Sequence, residues 1–124
     1  RIATSLPVQH AALESLRGSQ DYISTFVSEI KKHRDLVVKR LNEMPGLSCS
    51  NPKGSFYAFP KIEDNKFGTD KEFVTKLLES KGVLTVHGSG FGEKYGSGHF
   101  RLVYLPSLDI LDSAMNKIEE FVSQ

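Results

Sequence analysis

His99-Phe100-Arg101-Leu102-Val103-Tyr104-Leu105-Pro106 reads as a β-strand that carries one charge in an otherwise core-like run. Side chains alternate along a strand, so Arg101 shares a face with His99, Val103 and Leu105. A guanidinium stays charged and is costly to bury alone, so it must reach water or meet an anion. Its planar fork suits a carboxylate or phosphate held through two hydrogen bonds. On residue type alone, a solvated or ion-paired structural arginine and an anion ligand stay equally open.

The strand follows a glycine-rich stretch, His87-Gly88-Ser89-Gly90-Phe91-Gly92-Glu93-Lys94-Tyr95-Gly96-Ser97-Gly98. It contains Gly88-x-Gly90-x-Gly92 but neither Gly-x-Gly-x-x-Gly nor Gly-x-x-x-x-Gly-Lys, and a strand follows it, not a helix. A dinucleotide or P-loop site is therefore not supported, and a mobile connection over a mouth or interface is the expectation.

Working outward, Ser5 and Pro7 open a short helix over 7–17 that Gly18 ends. A longer helix is expected from Asp21 to Asn42, where Tyr22, Ile23, Phe26, Val27, Ile30, Val37 and Leu41 form one apolar stripe. Pro45-Gly46 stops it. Leu47 to Ser50 and Ser55 to Pro60 read as strands joined by a turn at Asn51-Pro52-Lys53-Gly54, with 61–68 as a charged loop. Thr69 and Glu72 make a capping box for a helix whose apolar positions are Phe73, Val74, Leu77 and Leu78, ended by Gly82. Val83 to Val86 make a further strand. After Pro106-Ser107 a last helix turns Leu108, Leu111, Met115, Ile118 and Val122 inward, with Asp109 and Asp112 near its positive end. The expected order is α-α-β-β-α-β-β-α. That predicts an α+β two-layer sandwich, a small, mainly antiparallel sheet packed with helices.

The chain's 124 residues suit one domain with a single core. Sixteen basic and fifteen acidic side chains are interspersed, with no basic stripe for nucleic acid. No apolar run is long enough for a membrane span. The one cysteine, Cys49, leaves no internal disulfide and fits a reducing compartment, so a cytoplasmic protein is expected. Nothing has the spacing of a metal site. The chain starts at Arg1 without a methionine, which makes a processed product or a fragment the expectation.

Other chemistry-bearing residues have plainer readings. His10, His33, His87 and His99 are scattered, and no carboxylate or serine partner is placed to make a triad. Glu63-Asp64 and Glu119-Glu120 fall on expected solvent faces. Lys94 sits among glycines beside Glu93, a solvated setting unlike the desolvated pocket that activates a Schiff-base lysine.

Three motifs decide the matter by resemblance. Gly54-Ser55-Phe56-Tyr57-Ala58-Phe59-Pro60, His87-Gly88-Ser89-Gly90-Phe91-Gly92 and His99-Phe100-Arg101-Leu102-Val103-Tyr104 resemble, in order and separation, the C-terminal motifs of class I/II aminotransferases. Ser5-Leu6-Pro7-Val8-Gln9-His10-Ala11-Ala12-Leu13 resembles the family's connection into its small domain. The resemblance covers essentially the whole chain, and alanine aminotransferase is its closest flavour.

It implies that residues 1–124 are one domain, the small domain of an enzyme using pyridoxal 5′-phosphate. Residues 1–18 would connect it to an absent N-terminal catalytic domain. It implies that Arg101 clamps the α-carboxylate of an amino-acid or 2-oxo-acid substrate, with Phe56 and Tyr57 as pocket-lining candidates. The family's cofactor-binding lysine and phosphate cup have no counterpart here, so no catalytic, cofactor-binding or metal residue is expected in this chain. The isolated chain should bind the cofactor poorly and be inactive, while the full enzyme should be a homodimer. A stand-alone, non-catalytic amino-acid-binding or interaction module on the same fold is the rival reading.

Overall fold

The computed structural model describes residues 3–124, so Arg1 and Ile2 of the expected 1–18 connection lie outside the described residues. Among the described residues, five α-helices and five short strands follow in the order α1 (Leu6–Arg17), α2 (Asp21–Glu43), β1 (Leu47–Ser48), β2 (Tyr57–Ala58), β3 (Lys61–Ile62), α3 (Asp70–Lys81), β4 (Val86–His87), α4 (Glu93–Gly96), β5 (Phe100–Val103) and α5 (Leu108–Val122). The expected α+β architecture holds, with α2, α3 and α5 forming the helical layer.

β5 is the central strand of an antiparallel sheet in the order β2-β5-β4. Tyr57 stands opposite Val103 and Ala58 opposite Leu102, while Val86 faces Arg101 and His87 faces Phe100. The alternation along β5 sends Phe100 and Leu102 into the core and leaves Arg101 and Val103 on the opposite face. Phe100 meets Phe73 of α3, whose ring lies edge-on to Phe121 of α5 and to Phe67. Val37 and Leu41 of α2, Leu77 of α3, and Leu111, Met115 and Ile118 of α5 complete this core. Across the helical layer, the Arg40 fork donates to Asp112, Asn116 and Glu119, tying α2 to α5.

The expected hairpin between 47–50 and 55–60 does not form. β1 pairs instead with β3, Leu47 opposite Ile62, inside the segment expected to be a loop. The reason lies in Asn42, whose amide donates to the Cys49 carbonyl and accepts the Cys49 N–H, both at 2.9 Å. That fork occupies the backbone groups with which the strand would continue. Ser55 then takes a positive φ of 63°, and its carbonyl accepts the Tyr104 hydroxyl at 3.1 Å, turning the chain into β2. From Phe56 onward the segment runs antiparallel along β5, through Tyr104 N–H to the Phe56 carbonyl, Phe100 N–H to the Pro60 carbonyl and Ile62 N–H to the Gly98 carbonyl.

Other departures are local. The expected strand at 83–86 is paired only at Val86–His87. Leu108 is exposed and Phe121 takes an inward place that the helical spacing had not singled out. The stripe on α2 divides. Val37 and Leu41 are buried, whereas Tyr22, Ile23, Phe26 and Val27 are exposed, as is every residue of α1. α1 and the first half of α2 thus present an apolar face that the described residues do not cover.

The capping box is present: Thr69 accepts the Glu72 N–H, the Glu72 carboxylate accepts the Thr69 N–H at 2.7 Å, and Gly82 closes α3 in the left-handed conformation. The glycine-rich stretch, expected to be a mobile connection, is folded. A 3-10 turn at Gly88–Phe91 leads into α4, and the backbones of Gly88 and Gly96 cross in direct contact. A Cβ on either residue would fall far inside van der Waals contact with the other's carbonyl oxygen.

Gly96→Ala is accordingly expected to destabilise the domain by about 1–3 kcal/mol. Gly54→Ala, with nothing within 4 Å of its Cβ position, should stay within about 0.5 kcal/mol of the wild type. Urea unfolding midpoints of the two variants check this contrast.

Candidate functional site: a stacked arginine beside the glycine-rich turn

β5 places Arg101 on the sheet face opposite the core, where it is half-buried. Tyr57, on neighbouring β2, brings its ring to 4.5 Å from the Arg101 guanidinium carbon, and Phe91, from the glycine-rich turn, brings its ring to 4.4 Å. Phe59 lies edge-on to Phe91 at 6.2 Å and stacks on His99 at 5.2 Å. Cation–π contact holds a guanidinium through its flat faces and uses none of its N–H donors. The Arg101 Nε is buried with no hydrogen-bond partner. Among the described residues, no carboxylate forms an ion pair with it. Between two rings and without an ion-pair partner among the described residues, this arginine keeps an uncompensated charge on the sheet face opposite the core.

Of the pocket-lining candidates, Tyr57 meets Arg101, and Phe56 lays its ring against Tyr57 with the centroids 4.6 Å apart. Phe56 borders a separate hollow of about 340 Å³ with Phe26, Ile30, Arg34 and Tyr104. Arg101 also borders a larger groove of about 610 Å³ between β4, β5 and α5, whose walls include Thr85, Val86, Val103, Ile110 and Lys117.

Two residues of this arrangement were not singled out from the sequence. Phe91 lay within a quoted motif without a role. Asp70, in the first turn of α3, is buried, and its Oδ2 accepts the Ser89 N–H at 2.6 Å. Burial alone would raise the Asp70 carboxyl. The hydrogen bonds from Ser89 and the nearby His87 outweigh burial and hold it below its usual range. For Cys49, burial dominates and pushes the thiol up, which disfavours the reactive thiolate.

Comparison with known proteins places this geometry. The family model for aminotransferase class I and II matches residues 1–118. The chain belongs to that family. It is 39% identical over 128 residues to a probable aspartate/prephenate aminotransferase of Rhizobium leguminosarum bv. phaseoli, covering 96% of this chain and 31% of the relative. It is 35% identical to the glutamate-pyruvate aminotransferase AlaA of Haemophilus influenzae, covering 99% of this chain and 31% of that protein. The solved alanine aminotransferase from Pyrococcus furiosus superposes with a TM-score of 0.94 at 49% identity, over 99% of this chain and 31% of that one. The chain thus spans 31% of the length of each of these relatives.

Enzymes of this family use pyridoxal phosphate, whose carbonyl takes an imine-forming lysine. Lys94 is exposed, with its ammonium over the Tyr95 ring at 5.0 Å. Lys117 stands on the exposed side of α5. Neither has the desolvated setting that an imine-forming lysine requires. Among the described residues no cluster could hold a metal ion, and no helix is long and apolar enough to cross a membrane.

The depressed Asp70 pKa has a defined consequence. A carboxyl lowered on folding contributes stability that is present above its unfolded pKa of about 3.9 and is lost as pH falls through the folded value. Below about pH 4 the stability of the wild type is therefore expected to fall more steeply than that of Asp70→Asn. Urea midpoints measured across the acid range check this, and parallel slopes would contradict it.

Proposed function

We propose that this chain is the small domain of a pyridoxal-phosphate-dependent aminotransferase, and that Arg101 holds the α-carboxylate of its amino-acid and 2-oxo-acid substrates. The observation that carries the reading is the arginine itself: charged, stacked on Tyr57 and Phe91, and without an acid partner among the described residues. A bidentate pair between its fork and a carboxylate would fix the substrate's orientation. The cofactor, when bound by the rest of the enzyme, supplies the electron sink for amino transfer. Tyr57 and Phe91 restrict where the guanidinium sits, and the domain closes over the substrate as a lid.

The apolar face of α1 and early α2 supports the remaining assignment. Leu6, Leu16, Tyr22 and Phe26 are at least half exposed, a surface suited to docking against a catalytic domain that lies outside this chain. Likeness to a glutamate-pyruvate and to an alanine aminotransferase supports alanine as one amino acid of the exchange. A homodimer in the cytoplasm is the setting we assign, the latter from the single free cysteine.

In the aminotransferase that carries this domain, Arg101→Lys is expected to lower kcat/KM by about ten- to a hundred-fold, mainly through KM, because lysine cannot reproduce the two-pronged contact. Unchanged steady-state kinetics would refute the role of Arg101. Purified residues 1–124 are expected to self-associate in size-exclusion chromatography and to show no turnover. A monodisperse chain that binds a free amino acid through Arg101 would instead favour the non-catalytic module.

A further inference from the structure

Asp70 needs an explanation that α3 does not give. The helix start is already satisfied by Thr69 and Glu72, which exchange their hydrogen bonds reciprocally. An acidic residue in the first turn gains from the helix dipole while facing water, yet Asp70 is only 6% exposed. Its carboxylate accepts the Ser89 N–H, nineteen residues along the chain, and also meets the Ser89 side chain.

That donor lies in the turn that carries Phe91. Around it, His87 Nδ1 accepts the Gly90 N–H at 3.2 Å and meets the Ser89 hydroxyl at 3.0 Å, while the Ser89 carbonyl accepts the Gly92 N–H at 3.1 Å. Asp70 is thus the anchor of this turn on α3, and two residues beyond Ser89 the Phe91 ring reaches the Arg101 guanidinium. Phe91 is 52% exposed, so burial in the core does not hold its ring in place. The geometry of the turn does.

We propose that Asp70 is a positioning residue for substrate capture: by holding the Ser89 N–H it fixes the Gly88–Phe91 turn, keeps the Phe91 ring on Arg101 and so keeps the guanidinium aimed at the substrate carboxylate. The inference rests on the carboxylate-binding reading of Arg101 given above. It differs from that reading in assigning a role to a residue that touches neither substrate nor cofactor.

The test is a double-mutant cycle in the aminotransferase that carries this domain. Asp70→Ala is expected to raise KM for the amino acid about ten- to a hundred-fold, with a smaller change in kcat, because misplacement of a positioning group costs up to about a hundred-fold. Phe91→Ala, at an exposed ring, should produce a loss of the same kind. The double variant should be no worse than the worse single one, since both remove the same support. Asp70→Asn keeps an oxygen able to accept the Ser89 N–H and should recover most of the KM. Additive losses in the double variant, or a fall in kcat with KM unchanged, would overturn the proposal. If Asp70→Ala does not fold, Asp70→Ser, a residue at home in a first helical turn but one atom shorter, replaces it with the same outcomes. Arg101→Lys, measured alongside, separates the two levels. If it leaves KM unchanged, the carboxylate reading fails. If it raises KM and the Asp70 variants do not, only the positioning role fails.

Discussion

The alternation of side chains along β5 is the constraint on which the rest depends. One face must deliver Phe100 and Leu102 to the core, and the period of two then sends Arg101 to the other face with no freedom to do otherwise. Because β5 is paired on both sides, its register is held by Tyr57 and Ala58 on one flank and by Val86 and His87 on the other. A slip of one residue would bury a guanidinium among Phe73, Leu77 and Met115 while exposing Phe100. The free energy that packs the core therefore also locates the charged group, and the site needs no separate device to set its depth.

What the sequence made legible follows the range of the interactions involved. The helices were readable because their signals are local: the Thr69–Glu72 box, Gly82 and the spacing of Phe73, Val74 and Leu77 all lie within one element. Arg101 was readable as an anomaly within its own strand. The pairing of β1 with β3 was not, since it is decided by the Asn42 side chain reaching the Cys49 backbone, a contact no strand pattern records. The folded state of the glycine-rich stretch was missed for a related reason. Composition suggests freedom, whereas the Gly88–Gly96 crossing uses the lack of side chains to bring two backbones together. Asp70 is invisible to sequence reasoning because its partner, Ser89, is near only in three dimensions.

The division of the α2 stripe shows how a pattern can be right and still leave a surface bare. The helical period correctly names the residues that share a face, and Val37 and Leu41 join the core where α2 meets α5, β1 and β2. Toward the N-terminus the same face runs beyond the edge of the core, leaving Tyr22, Ile23, Phe26 and Val27 exposed. Periodicity reports that a face is built to be covered but does not say by what. That the chain spans 31% of its relatives' length is consistent with a covering element that belongs to the rest of such a protein.

The two rings against Arg101 also change the entropy of recognition. A free arginine side chain carries about 2 kcal/mol of rotamer entropy, and an anion that captures one must freeze it. Here Tyr57 and Phe91 have already restricted the guanidinium during folding, so an arriving ligand meets a fork whose orientation is set in advance. Under the carboxylate-binding reading, a fork set in advance would reward an anion that brings two oxygens to it together over one that offers a single oxygen. The two aromatic side chains would then favour one ligand over another through geometry, without adding any charge of their own.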